Sequence, residues 1–148
     1  MSASETLQTV ILAIEANDFT RARGYLTDDF TFDGAVPQPI GPDAWLSIHR
    51  AFNTAMPDFS FNARGVHDEN GGAVGQIQIT GTQTNELTLP LPGIPAIAPT
   101  GKRVSLPTEN LKVTARGDKL ASIAVSEVPG GGVPGALAQL GVTIPGHV

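Results

Sequence analysis

The chain has 148 residues, 41% of them hydrophobic and 16% charged, which suffices for one hydrophobic core and is too charge-poor for an unfolded chain. Fourteen acids against nine Lys and Arg give a net charge of -5, the wrong sign for a surface that binds phosphate backbones. Cysteine is absent, which excludes disulfide frameworks, thiolate nucleophiles and Cys-based metal sites.

Residues Met1 to Glu5 lack the basic-then-apolar pattern of an export signal, and no run of roughly 18 apolar residues follows. A single domain over residues 1–148, cytoplasmic, with neither membrane nor nucleic acid as partner, is expected. Leu7, Val10, Ile11 and Ile14 fall on one helical face, and Ser2 with Glu5 has capping-box spacing, which predicts a helix near residues 3–16. Asn17 or Asp18 caps a second, short helix through Phe19 and Ala22, with Gly24 as a left-handed stop before Tyr25. Asp29 to Asp33 alternates as a strand, and Pro42 opens a third helix that Pro57 ends. On it Trp45, Ile48, His49 and Phe52 share a face.

From there the period changes to two. Phe59 to Ala63 alternates, Asn70-Gly71-Gly72 marks a hairpin, and Ala73 to about Glu86 reads as one long strand. Ile77 and Ile79 lie on one side of it. The opposite row of Gln76, Gln78, Thr80 and Thr82 reads as a solvated face, a homodimer face or an amide-lined wall. Leu87 to Pro99 is an apolar, proline-rich loop, read as a lid, a dimer contact or a closure of the core. Strands near 101–115 and 119–128 meet at Arg116-Gly117-Asp118, and Gly135 to Leu140 is a helical turn ended by Gly141. Helices followed by consecutive strands spell an α+β fold: N-terminal helices packed on a strongly curved antiparallel sheet, a cone-shaped half-barrel with an apolar hollow on its concave side.

Four stretches, Tyr25-Leu26-Thr27-Asp28-Asp29-Phe30, Ala55-Met56-Pro57-Asp58-Phe59, Pro99-Thr100-Gly101-Lys102-Arg103-Val104 and Gln139-Leu140-Gly141-Val142, occur in the order seen in a known family. The chain resembles the SnoaL-like polyketide cyclase and ester cyclase branch of the nuclear-transport-factor-2-like (cystatin-like) superfamily. The resemblance implies a cofactor-free cyclase or isomerase, of lyase or isomerase type, acting on a polyketide-like hydrophobic carbonyl compound, and a homodimer. In those cyclases an acid–base aspartate stands shortly before the Gln-Leu-Gly segment. Here Gly132 occupies that position by one count and Val128 by another, while Ala124 or Val125 replaces a strand tryptophan and Gln83 a histidine. A non-catalytic ligand-binding or regulatory protein of the same fold is the alternative.

Such chemistry needs a carboxylate whose pKa an apolar pocket raises, with hydrogen-bond donors for a developing enolate. The candidates for the acid are Glu127, beside the vacant position, Glu109, on a strand with one face inward, and Asp33, where the family often carries a polar residue. Asp33 reads equally as part of an Asp-Gly turn. Tyr25, Trp45, His49, Phe52 and Gln83 are the candidate guest contacts. His67 beside Asp68 and Glu69 reads as a hairpin tip, and no spacing suits a metal, so no metal is expected; that no cofactor is expected is what the resemblance implies.

Overall fold

The structure, a computed structural model, describes residues 1–34, 38–91, 93–126 and 128–142. Helix α1 (Ala3–Glu15) starts at the predicted capping box: Ser2 Oγ accepts from the Glu5 amide at 3.3 Å, and the Glu5 carboxylate accepts from the Ser2 amide at 3.0 Å. Its buried face is Leu7, Val10, Ile11 and Ile14. Asp18 caps α2 (Phe19–Gly24) by accepting from the Arg21 amide at 3.1 Å. Gly24 is not a left-handed stop. Helix α2 closes at Tyr25 with φ -99°, and the left-handed residue of this segment is Asn17, φ 61°, between the two helices. Strand β1 (Leu26–Asp33) and helix α3 (Pro42–Ala55) follow, with Pro42 in the first turn as predicted.

The remaining elements are β2 (Arg64–Glu69), β3 (Gly72–Ile77), β4 (Thr80–Thr82), β5 (Arg103–Ser105), β6 (Glu109–Arg116), β7 (Lys119–Val125) and α4 (Gly132–Gln139). The main sheet has the order β1-β7-β6-β3-β2, and β4 pairs with β5. The sheet is mixed where an all-antiparallel one was expected, because β1 runs parallel to β7. A hairpin forces antiparallel pairing on β6 and β7, but α3 and its flanking loops separate β1 from every later strand and leave its direction free.

The expected long strand from Ala73 is split between β3 and β4 at Gln78 and Ile79, opposite a matching break at Leu106, Pro107 and Thr108. Leu106 still donates to the Ile79 carbonyl at 2.9 Å, but Pro107 has no N–H with which to continue the ladder. This break bends the sheet toward the helices. Phe59 to Ala63 joins the ladder through a bridge from Ser60 to Thr80 and a bond from the Gln78 amide to the Phe61 carbonyl at 2.8 Å. Where β4 meets the end of α3, Gly81 is needed for close approach: a Cβ there would stand 2.9 Å from Met56 Sδ. The row Gln76, Gln78, Thr80, Thr82 lies away from the concave side, with Gln76 donating to Asn110 at 3.3 Å and Thr82 to Asp58.

The proline-rich loop closes the core. Leu87 and Ile97 exchange backbone hydrogen bonds at 2.9 Å in both directions, and Leu87, Leu89 and Ile97 are buried. Gln83, fully buried, staples the loop down: Nε2 donates to the carbonyls of Ile97 (3.1 Å) and Ala98 (3.2 Å), and Oε1 accepts from the Thr100 amide (3.2 Å) and hydroxyl (2.7 Å). Gln83→Ala leaves these groups short of partners and is expected to cost about 2 kcal/mol, read from urea midpoints at unchanged slope. An unchanged midpoint would show that the staple is dispensable.

The expected turn at 135–140 is longer, because the helix begins within the glycine run at Gly132. It ends at Gly141, φ 85°, where the Val142 amide donates to Leu137 and the Gly141 amide to Ala138, a Schellman-type close. Gln139 fixes α4 to β5 by accepting from the Ser105 amide and donating to the Ser105 carbonyl, both at 2.8 Å. Among the described residues no helix is long and apolar enough to cross a membrane.

Candidate functional site

The bent sheet, α1, α3 and α4 surround a cavity of about 80 Å³, measured as the space open to the centre of a water-sized sphere. One water needs about 10–15 Å³ by that measure, so a guest of several non-hydrogen atoms fits. Its walls are almost wholly apolar, including Leu7 and Ile11 of α1, Ile77 of β3, Leu111 of β6 and Ala136 of α4. The lining residues that carry polar side-chain groups are Trp45, His49 and Glu109.

The helical period of α3 brings Trp45, Ile48, His49 and Phe52 to the cavity together. The indole of Trp45 stacks on Phe32, with centroids 5.5 Å and planes 18° apart, and meets the His49 ring edge-on at 5.0 Å. His49 in turn packs against Phe59 (5.7 Å) and Phe61 (5.1 Å). Burial lowers the His49 pKa from 6.5 to about 4, so the ring is neutral at pH 7. Neither Nδ1 of His49 nor Nε1 of Trp45 has a hydrogen-bond partner among the described residues.

Glu109 reaches the same cavity because it opens β6, where Glu109, Leu111 and Val113 alternate toward the core. The residue is only 3% exposed, and desolvation raises its pKa above the ordinary 4.5, opposed by the Gly132 amide at the start of α4. The glycine run lies directly on the carboxyl group: a Cβ on Gly131 would stand 3.4 Å from Glu109 Cδ. Gly130 and Gly132 have φ of 81° and 68°, a conformation that lets the chain pass this close. No Lys, Arg or His forms an ion pair with Glu109 among the described residues.

The structure therefore brings Glu109, Trp45, His49 and Phe52 together and leaves three expected contacts elsewhere. Asp33 is exposed, with Oδ1 accepting from the Gly34 amide at 2.8 Å; the alternation that turns Phe32 inward turns Asp33 out. Tyr25 is half-buried under the Arg21 guanidinium, 5.5 Å from ring centre, and does not line the cavity. Gln83 is consumed by the loop staple. Glu127 lies outside the described residues. Phe59 and Phe61 also line the cavity, and their two-residue spacing was the available signal for a shared face. Among the described residues no cluster of three or more His, Asp or Glu could hold a metal ion.

Residues 7–123 match the SnoaL-like domain family, and the chain belongs to it. No curated protein matches the sequence. Among solved structures the chain is similar to AclR, a candidate hydroxylase from Streptomyces galilaeus, at 16% identity and TM-score 0.70, covering 93% of this chain and 79% of that one. It is similar to IdmH, a candidate polyketide cyclase from Streptomyces antibioticus, at 18% identity and TM-score 0.68, covering 96% and 100%. A cystatin-fold protein from Novosphingobium aromaticivorans matches at 17% identity and TM-score 0.61, covering 84% and 97%. At these identities the likeness shows the fold.

Proposed function

We propose that the cavity receives a compact, hydrophobic carbonyl compound and that Glu109 moves a proton on it without a cofactor, as a cyclase or isomerase would. The observation that carries this reading is a carboxyl group, almost fully buried in an otherwise apolar cavity, that meets the Gly132 amide and no cation among the described residues. Such a group costs stability and, among the described residues, has no cation to balance it, a mark of a working acid. Its raised pKa brings the carboxylate closer to the pH at which it must exchange a proton, while the Gly132 amide and the positive end of α4 keep the anion accessible.

In the reaction Glu109 takes a proton from the carbon next to the carbonyl, and the C–H electron pair passes to the carbonyl oxygen. Isomerisation returns the proton from Glu109 to another carbon; in cyclisation the enolate carbon instead bonds to a second carbonyl carbon within the guest, whose π pair moves to its oxygen and takes the proton back from Glu109. Gly132, which by one count holds the position of the cyclases' aspartate, itself lines the cavity beside Glu109. A carboxyl group from β6 thus stands where the side chain from the α4 region is missing.

Cyclohexanone in D₂O tests this by deuterium uptake next to the carbonyl. Wild-type protein is expected to accelerate uptake over buffer, and Glu109→Gln to return it to the buffer rate. Uptake lost only in Glu127→Gln would transfer the role to Glu127. Binding without any acceleration would leave the non-catalytic ligand-binding reading. The expected homodimer and cytoplasmic location belong to the same reading, and sedimentation at micromolar concentration tests the first.

A further inference from the structure

Three buried polar atoms of α3 lack partners among the described residues; Oδ1 of Asn53 is one, and the other two belong to residues that line the cavity. Trp45 and His49 are one turn apart, 4% and 7% exposed, and both line the cavity, yet indole Nε1 and imidazole Nδ1 meet no hydrogen-bonding group among the described residues. An unpaired buried polar atom costs roughly 1–3 kcal/mol, and native interiors rarely retain one without a reason. The neighbouring rings of Phe30, Phe32, Phe59 and Phe61 explain why the chain supplies no partner itself: they pack against both rings without offering a lone pair.

What a guest must bring follows from the two side chains. Indole N–H only donates, so the atom against it is an acceptor. Among the described residues no Lys or Arg lines the cavity, and the ionisable groups in its lining are the neutral His49 and the acid Glu109. An anionic acceptor would find no cation there and one carboxyl group to repel it.

We propose that the indole N–H of Trp45, with the uncharged imidazole of His49 beside it, anchors one neutral oxygen atom of the guest, so that the cavity selects oxygenated apolar compounds by that contact. This inference rests on the cavity being the guest site, and it requires nothing of Glu109. A carbonyl oxygen seated here has its carbon framework in the remaining apolar space.

Trp45 is the chain's single tryptophan, so the protein gives one indole N–H signal in a proton–nitrogen correlation spectrum. The probes are cyclohexanone and methylenecyclohexane, which replaces C=O by C=CH₂ at nearly the same shape. Cyclohexanone is expected to move the indole proton downfield, as a new hydrogen bond does, and the hydrocarbon to leave it without that displacement. Trp45→Phe keeps the stacked ring and removes the donor. Backbone amide shifts should then show the ketone bound roughly three- to tenfold more weakly, the equivalent of one neutral hydrogen bond, and the hydrocarbon bound as before. Equal indole displacement by both probes, or equal weakening of both by Trp45→Phe, overturns the anchor and leaves the cavity as guest site intact. Silence of every cavity amide toward both probes overturns the anchor and the proposed function together.

Discussion

Glu109→Gln is expected to melt at a higher temperature than the wild type at neutral pH while losing deuterium uptake into cyclohexanone. Burial raises the folded-state pKa of Glu109 above the ordinary 4.5. A raised carboxyl pKa contributes stability that is fully present below the unfolded value and is lost as pH rises through the folded value. Above that point the folded chain holds a desolvated charge. Glutamine has nearly the same shape, keeps an oxygen for the Gly132 amide and never ionises. The gain should be about 1 kcal/mol, or about 2–4 °C for a chain of this size, at pH 7.5, and should vanish near pH 4. Melting curves of both proteins at the two pH values decide the matter; a gain equal at both, or a loss at both, would mean that ionisation of Glu109 is not the cause. A residue that costs stability and is required for turnover is placed for chemistry, whereas a packing residue would lose on both measurements.

The second large effect is an acid sensitivity centred on His49. Its pKa falls from 6.5 to about 4 on burial. Between those values the unfolded chain takes up a proton that the folded chain refuses, so the stability is intact above pH 6.5 and declines as pH falls toward 4. The full decline approaches roughly 3 kcal/mol. Glu109 works in the opposite direction at low pH, so the comparison that isolates the histidine is wild type against His49→Phe, whose ring suits the surrounding aromatics. Urea midpoints at pH 7 and pH 4.5 should draw together in His49→Phe and stay well apart in the wild type. Should the variant keep the wild-type pH dependence, the buried imidazole is not its source.

Local pattern made α1 and α3 readable, since Leu7, Val10, Ile11 and Ile14 on one and Trp45, Ile48, His49 and Phe52 on the other repeat with the helical period, α1 opening at a capping box and α3 lying between Pro42 and Pro57. For Glu109 the two-residue period leaves both directions open, and the structure turns it inward with Leu111 and Val113. What could not be read was decided by distant partners. The parallel pairing of β1 with β7 joins Phe32 to Ile123, a register that no local window contains. Gln83 is polar by composition and buried in fact, because the carbonyls of Ile97 and Ala98 and the Thr100 amide and hydroxyl, well along the chain, supply every bond it needs. Asp33 went astray in the other direction: the family likeness favoured an inward side chain, and the strand's own two-residue period put Phe32 there instead.

Gln139 supplies the polar tie between the last helix and β5. Both bonds that tie α4 to Ser105 belong to a single amide group, so one rotation of that side chain breaks them simultaneously. The polar part of the seam is therefore made or broken as a unit, while Ala136, Leu137 and Leu140 hold α4 to the core by burial.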